Sequence, residues 1–271
     1  MTAVADERRA RHIVVVFGGG RANTSVTGLL ASLVSEDGAD ITGVFLEDRS
    51  LFRLAELPFT TEVCRITTIR RPLTTRSLER HMKVQALRAE QALRRVAERV
   101  GSPWSFRTHR GRLSTALAEA RDVDFVLLGT ARRVLASAGE VSATARTVRA
   151  REAEPLRPVA VFFDHTETAV YALDAGIDLA ERTGRALIVF LSDEVAEALP
   201  DLTRRLQSLG PKRSATRMVA SAEPAALLSA VRRAAPAVLI VGTGETGFDE
   251  PKVSALQREL RCPMIVVRVP P

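Results

Sequence analysis

The chain has 271 residues, of which 46% are hydrophobic and only 4% are aromatic. This length is enough for one large domain or two ordinary ones, with a core built mainly from Ala, Val, Leu and Ile. The apolar run 13–17 is too short for the core of a signal peptide, and no apolar stretch reaches the length that spans a bilayer. We therefore expect a cytoplasmic protein without a membrane partner.

Cysteine and histidine are too sparse to indicate a metal site or a disulfide framework. Cys64 and Cys262 are the only two cysteines and form no Cys-x-x-Cys pair, and the four histidines are scattered. We interpret both thiols as buried structural groups and expect no metal.

The formal net charge of +7 is unevenly distributed along the chain. The positive excess is concentrated between Arg53 and Arg112, whereas residues 151–271 are close to neutral. A basic face of this kind attracts nucleic acid, anionic lipid or an acidic partner. Aromatic residues that could stack on bases are scarce nearby, which makes nucleic acid an unlikely partner and favours a solvated surface, a subunit contact or an acidic protein partner.

The sequence contains an internal repeat. The segment His-Ile-Val-Val-Val-Phe-Gly at 12–18 corresponds to Pro-Val-Ala-Val-Phe-Phe-Asp at 158–164. In both copies an amphipathic helix, a glycine and a second apolar strand follow. The two glycines, Gly38 and Gly184, suit the left-handed position that commonly ends a helix.

The correspondence resumes at 124–130 and 237–243, two aliphatic segments that both end in Gly-Thr. The interval before this second pair is longer in the first copy by about thirty residues, so the first copy carries an insertion within 48–99. Apolar residues from Leu78 to Val100 recur every three or four positions. This spacing predicts a long helix with one core stripe and one solvated face.

We therefore predict an α/β protein made of two tandem Rossmann-like units, at 10–150 and 155–271. Continuous apolar strands that alternate with helices are typical of parallel sheets covered on both faces. We expect a five-stranded sheet in each unit, although a separate fifth strand is evident only in the second copy, at 263–269. The connection 131–157 contains no Gly/Ser tract, so we expect the two units to pack together as a pseudo-dimer.

Three motifs of the second copy resemble those of tandem universal stress proteins. They are Phe-Phe-Asp-His-Thr-Glu-Thr-Ala at 162–169, Ala-Val-Leu-Ile-Val-Gly-Thr-Gly at 237–244 and Leu-Arg-Cys-Pro-Met-Ile-Val-Val-Arg at 260–268. Members of that family are similar in having an Asp after the first strand, a glycine loop after the fourth and a Pro-led last strand. The resemblance covers nearly the whole chain apart from the basic insertion, and it implies the adenine nucleotide alpha hydrolase-like fold.

The resemblance also makes ATP the candidate cofactor, because many members bind it through a Gly-x-x-Gly loop. Glycines let backbone N–H groups approach phosphates, and a following helix N-terminus favours negative charge. In the second copy Gly244 and Gly247 keep this spacing, but no later glycine completes the motif. The neighbouring acids Glu245, Asp249 and Glu250 would repel phosphates. The ATP-binding motif is therefore degenerate.

Asp164 and the segment around Gly242 are the candidate ligand-binding residues of the second copy. Asp164 could accept a hydrogen bond from a ligand amide or a ribose hydroxyl, but an Asp before a helix more commonly caps that helix. The loop residues could contact phosphates or simply turn the chain. They are Gly242, Thr243, Gly244 and Gly247.

The first copy has two corresponding candidates. Gly18, Gly19 and Gly20 follow its first strand and could expose N–H groups to an anion, although a plain tight turn is the more common reason for such a run. No Gly-Lys-Ser/Thr follows, so this is not a P-loop. Gly129 and Thr130 correspond to the Gly-Thr pair of the second copy.

No catalytic constellation emerges from the sequence, which contains no Gly-x-Ser-x-Gly and no His-Glu-x-x-His. We favour a binding and regulatory module of the stress response, with weak adenine-nucleotide binding in the second copy, over a self-contained enzyme. Two alternatives are a nucleotide-hydrolysing enzyme and a scaffold whose basic segment binds an acidic partner or nucleic acid. The same segment is also a candidate for self-association.

Overall fold

Aliphatic runs of the sequence form the buried strands of two units, which divide after Gly129. The computed structural model describes residues 11–18, 24–34, 38–63, 68–119, 123–129, 156–192, 199–210, 213–219, 221, 223–244 and 248–268.

Unit 1 contains a parallel sheet of four strands within the described residues. These are β1 (Arg11–Phe17), β2 (Ala39–Asp48), β5 (Trp104–Gly111) and β6 (Phe125–Leu128), in the order β5-β2-β1-β6. The helices are α1 (Thr24–Leu33), α2 (Arg49–Glu56), α3 (Thr75–Val100) and α4 (Leu113–Glu119). A separate antiparallel hairpin consists of β3 (Thr61–Val63) and β4 (Arg70–Pro72).

The helix predicted between Leu78 and Val100 is α3, and its packing follows the predicted stripe. Thr74 caps its start with a reciprocal capping box, and Gly101 ends it with a φ of 67°. The buried residues of α3 include Leu93, which fills the space left by the missing side chain of Gly43 in β2. The C-terminal part of the insertion is therefore a core helix of unit 1. None of the helices in the described ranges is long and apolar enough to cross a membrane.

Unit 2 contains a parallel sheet of five strands in the part of the chain that the structure describes. These are β7 (Val159–Phe163), β8 (Leu187–Ser192), β9 (Ser214–Val219), β10 (Val238–Gly242) and β11 (Met264–Val267), in the order β11-β10-β7-β8-β9. The helices are α5 (Glu167–Thr183), α6 (Leu199–Leu206), α7 (Pro224–Ala234) and α8 (Glu250–Glu259). A 3₁₀ turn at Gln207–Leu209 follows α6.

The predicted α/β class with parallel sheets is confirmed, and the five strands predicted for the second copy are present. Gly184 ends α5 in the left-handed conformation with a φ of 66°, as predicted. Gly38 also has a positive φ, of 83°, but it lies directly before β2 and not at the end of α1, which is Leu33. The hairpin β3–β4 was not predicted, because strands of three exposed residues show no apolar alternation. Residues 130–155, which include most of the connection between the two units, lie outside the described residues.

Helix α5 lies unusually close to the sheet of unit 2 at one glycine. A Cβ atom at Gly176 would overlap Cγ2 of Val161 in β7 and reach to 3.5 Å from Cδ1 of Leu187 in β8. Both neighbours belong to fully buried strand residues. The close approach therefore requires glycine, despite the conformational entropy that glycine loses in a helix.

We expect Gly176→Ala to lower the free energy of unfolding by about 1–3 kcal/mol, because the added methyl group overpacks a rigid strand. Chemical denaturation followed by circular dichroism measures the change. The matched control is Gly28→Ala in α1, where a Cβ meets nothing within 4 Å. That substitution should stabilise the protein by about 0.5–1 kcal/mol through helix propensity alone. Equal effects of the two substitutions would contradict the close contact.

Candidate functional site

The strand order of unit 2 places β7 and β10 side by side with their carboxyl ends together. From β7 the chain moves outward through β8 to β9, then returns to β10 on the opposite side of β7. Phe162 pairs with Val241 in this register. A reversal of strand order opens a crevice at the carboxyl edge of a parallel sheet, which is where ligands of such sheets bind.

Asp164 follows β7 at this edge and is half-buried. Its Oδ1 accepts hydrogen bonds from the backbone N–H of Thr166 at 3.2 Å and from the Thr166 hydroxyl at 2.6 Å. The Thr166 hydroxyl in turn accepts from the N–H of Ala169 at 3.2 Å and is the N-cap of α5. The predicted role of Asp164 as the helix cap is therefore wrong, because Thr166 is the cap and Asp164 orients it.

Thr168 extends this hydrogen-bonded group toward the loop after β10. Its Oγ1 lies 3.1 Å from Oγ1 of Thr166. Because the single hydroxyl proton of Thr166 is donated to Asp164, the proton between the two threonines comes from Thr168. Both lone pairs of Thr168 Oγ1 then remain available as acceptors. Among the described residues, no group donates to the second oxygen of Asp164, Oδ2.

Gly242 at the end of β10 and Gly244 in the loop that follows both lie close to Thr168. A Cβ at Gly242 would lie 2.5 Å from the carbonyl carbon of Thr168, so glycine is needed for the first turn of α5 to approach β10. A Cβ at Gly244 would lie at an ordinary 3.6 Å from Oγ1 of Thr168. Asp164, Gly242 and Gly244 are thus brought together around Thr168.

Thr243 has a structural partner. Its backbone N–H donates to the carbonyl of Val267 at 2.9 Å, and its hydroxyl donates weakly to the same oxygen at 3.4 Å. These bonds hold the loop to the end of β11. Gly247, the second glycine of the Gly-x-x-Gly motif, lies outside the described residues.

Two of the acids expected to repel phosphates have defined roles at this edge. Asp249 is the N-cap of α8 and accepts from the N–H of Lys252 at 2.8 Å. Glu250 forms an ion pair at 3.6 Å with Arg268, whose side chain is largely buried at the end of β11. Arg268 supplies a cation at this edge that sequence reasoning did not select, although it ends the Pro-led final strand.

The equivalent position in unit 1 lies between β1 and β6, which pair through Val16 and Leu128. Gly18 is exposed there, and a Cβ added to it meets nothing within 4 Å. Gly129 follows β6. Gly19, Gly20 and Thr130 lie outside the described residues. Unit 1 therefore has a glycine where unit 2 has the carboxylate of Asp164.

Cys262 lines a cavity of about 580 Å³ that opens at the opposite, amino edge of the sheet of unit 2. The thiol is buried, and burial raises its pKa to about 11, an effect that the positive charge of Arg157 partly offsets. The prediction that Cys262 is a buried thiol is confirmed. Cys64 lies outside the described residues.

No protein-family profile matches the chain, and no curated protein matches it. Among solved structures, a universal stress protein from Archaeoglobus fulgidus aligns over 95% of this chain and 96% of its own, with a TM-score of 0.50 and 12% identity. A putative universal stress protein from Pseudomonas aeruginosa aligns over 96% and 93%, with a TM-score of 0.42 and 12% identity. The alignment with the Archaeoglobus fulgidus protein confirms the predicted resemblance to universal stress proteins at the level of the fold.

We expect Cys262 to react slowly with Ellman's reagent at pH 8, because a raised pKa leaves little thiolate and burial limits access. In a Cys64→Ser background, denaturation should accelerate the reaction by about a hundredfold or more. As pH rises, the Cys262 thiol ionises in the unfolded protein before it ionises in the folded one. The contribution of Cys262 to the free energy of unfolding should therefore be lost as pH rises from about 9 toward 11. Equal rates in the native and denatured protein would contradict this burial.

Gly242→Ala should destabilise the protein by about 1–3 kcal/mol, because the methyl group meets backbone atoms of α5 rather than a flexible side chain. Gly244→Ala is the matched control, since its Cβ makes an ordinary contact, and we expect a change within about 0.5 kcal/mol. Urea denaturation of the two variants measures the difference. A Gly242→Ala protein as stable as the control would show that the first turn of α5 can move freely.

Proposed function

We propose that this chain is a universal-stress-protein-like binding and regulatory module of the stress response, which binds an adenine nucleotide at the carboxyl edge of unit 2. The observation that carries the proposal is the carboxylate of Asp164. It stands at the reversal of strand order, fixed through Oδ1 by Thr166, with Oδ2 open to a ligand.

The hydrogen-bonding groups at this edge suit a ribose. Oδ2 of Asp164 and Oγ1 of Thr168 are acceptors, and sugar hydroxyls are donors that match them. Hydrogen bonds to a charged acceptor are worth about 1.5–3 kcal/mol. The absence of a side chain at Gly244, which is exposed beside Thr168, leaves room for a ligand to approach the backbone.

The charges at this edge disfavour a polyphosphate. Asp164, Asp249 and Glu250 are negative, and Arg268 is engaged with Glu250. Like charges in a partly buried site repel strongly. We therefore propose that recognition rests on the nucleoside, so AMP and adenosine should bind at least as well as ATP.

Isothermal titration calorimetry with adenosine, AMP and ATP tests the proposal. We expect Asp164→Ala to weaken binding by about tenfold to a hundredfold, the loss of a charge-assisted hydrogen bond. Thr168→Val should weaken it less, because Thr168 is neutral. The matched control is Asp174→Ala, which removes an exposed carboxylate of α5 that pairs with Arg205 outside the site.

Three outcomes would decide between the alternatives. Absence of binding at millimolar nucleoside or nucleotide would overturn the proposal. If Asp164→Ala and Asp174→Ala weakened nucleotide binding equally, the ligand would have to bind away from this edge. Steady release of inorganic phosphate from ATP, abolished by Asp164→Ala, would instead favour the nucleotide-hydrolysing enzyme, which requires groups aimed at the phosphate.

A further inference from the structure

Exposed apolar side chains are concentrated in the insertion of unit 1. Of the ten large hydrophobic residues that are exposed among those described, seven lie between Leu54 and Leu87. Exposed apolar side chains that are concentrated in one part of a protein commonly mark an interaction site. Five of the seven form what we call the tip surface, which spans the end of α2 and the hairpin β3–β4. These are Leu54, Leu57, Phe59, Val63 and Ile69.

Phe59 is the most exposed of these residues, with 98% of its surface accessible. It follows the end of α2, where the N–H of Leu57 donates to the carbonyl of Leu54. One residue further on, the carbonyl of Thr60 accepts from the N–H of Leu73. Backbone hydrogen bonds on both sides thus fix the segment that carries this aromatic side chain, which is almost fully exposed.

Arginines flank the tip surface. Arg53 lies on α2 and is exposed, and Arg70 and Arg71 form the second strand of the hairpin. Within the part of the chain that the structure describes, none of these three forms an ion pair. Across the hairpin Val63 pairs with Arg70 and Glu62 with Arg71, so one small exposed element carries an apolar side chain and two arginines beside a single carboxylate.

The exposed face of α3 repeats this composition. Arg76, Arg80, Val84 and Leu87 follow one another at intervals of three or four residues, so they share one side of the helix, and all four are exposed. A helix face that combines aliphatic and basic residues without a covering element is typical of peptides that lie at a membrane interface.

We propose that the tip surface docks on an anionic lipid bilayer, with Leu57 and Phe59 entering the interface and the arginines contacting lipid phosphates. Charge complementarity supports this occupant, because anionic headgroups attract clustered arginines near a membrane surface. A bilayer also accepts a protruding side chain without a preformed pocket. This departs from the expectation of no membrane partner, which rested on the absence of a spanning segment.

Other occupants fit the tip surface less well. A second copy of the chain, meeting it about a two-fold axis, would bring the same unpaired arginines together. Nucleic acid would need several stacking aromatics, and the tip surface has one. An acidic protein segment would satisfy the charges of the arginines. It would also need a pocket that fits Phe59, whereas a bilayer accepts this side chain without one.

Co-sedimentation of the whole chain with 100-nm vesicles tests the proposal. We expect binding to vesicles of phosphatidylcholine with 30% phosphatidylglycerol to exceed binding to phosphatidylcholine alone by about tenfold at low salt, and to weaken as salt rises. The apolar variant Leu57→Ser/Phe59→Ser and the charge variant Arg70→Gln/Arg71→Gln should each lose most of this binding.

Two controls separate docking from misfolding and from general adsorption. Tyr171→Ser/Arg217→Gln removes one exposed apolar and one exposed basic side chain from unit 2 and should leave vesicle binding unchanged. Circular dichroism should show the same unfolding temperature for the tip variants and the wild type. Phe59→Trp should gain a blue-shifted emission, relative to the wild type with its Trp104, when anionic vesicles are added.

Several outcomes would overturn the proposal. These are equal partition onto neutral and anionic vesicles, full binding by either tip variant, loss of binding in the unit 2 control, or no emission shift from Phe59→Trp. The experiment is independent of nucleotide binding, because Asp164→Ala should retain vesicle binding and the tip variants should retain nucleotide binding.

Discussion

The close approach of α5 to the sheet of unit 2 is the constraint on which the candidate site depends. Two glycines permit it, Gly176 in the helix and Gly242 at the end of β10. They bring the first turn of α5 directly over the reversal in strand order. A larger residue at either position would move the helix, and Asp164, Thr166 and Thr168 would move with it. A substitution that changes the packing of α5 in the core would therefore also change the geometry of the candidate site.

The two units share a strand order but differ in the residues at the carboxyl edges of their sheets. Unit 2 ends its first strand with a fixed carboxylate and two threonines, whereas unit 1 ends its own with an exposed glycine at position 18. The basic insertion belongs to unit 1. Its last helix, α3, packs into the core through Leu93, while α2 and the hairpin carry exposed aliphatic and arginine side chains. The candidate ligand-binding residues and most of the exposed large apolar side chains therefore lie in different units.

Most of the fold could be predicted because aliphatic runs and the helical spacing of apolar residues indicate which side chains are buried. The strands at 12–18 and 158–164, the stripe of α3 and the left-handed glycines all follow from local sequence. The hairpin β3–β4 could not be found this way. Its strands are short, exposed and rich in Arg and Thr, so their pairing reflects backbone hydrogen bonds that leave no apolar pattern.

The candidate site was only partly accessible to the same reasoning. Asp164 and Gly242, two of the predicted ligand-binding residues, lie at the same edge of the sheet, but Thr166 and not Asp164 caps α5. An Asp followed two residues later by Thr offers two competing caps, and only the geometry of Thr166 with Ala169 distinguishes them. The importance of Thr168 depends on its distance from Gly244, a contact across about seventy-five residues of sequence that no local pattern encodes.

The open space around Gly18 has a consequence for how the two halves of the chain can diverge. Among the described residues, and apart from the chain neighbours of Gly18, no atom lies within 4 Å of a Cβ built there, so a side chain introduced at this position need not displace them. Acquisition or loss of a carboxylate at this edge of unit 1 is therefore nearly independent of folding, unlike a change at Gly242. A carboxylate equivalent in position to Asp164 could thus arise in unit 1 through a change in a single codon, without a change in the architecture of the sheet.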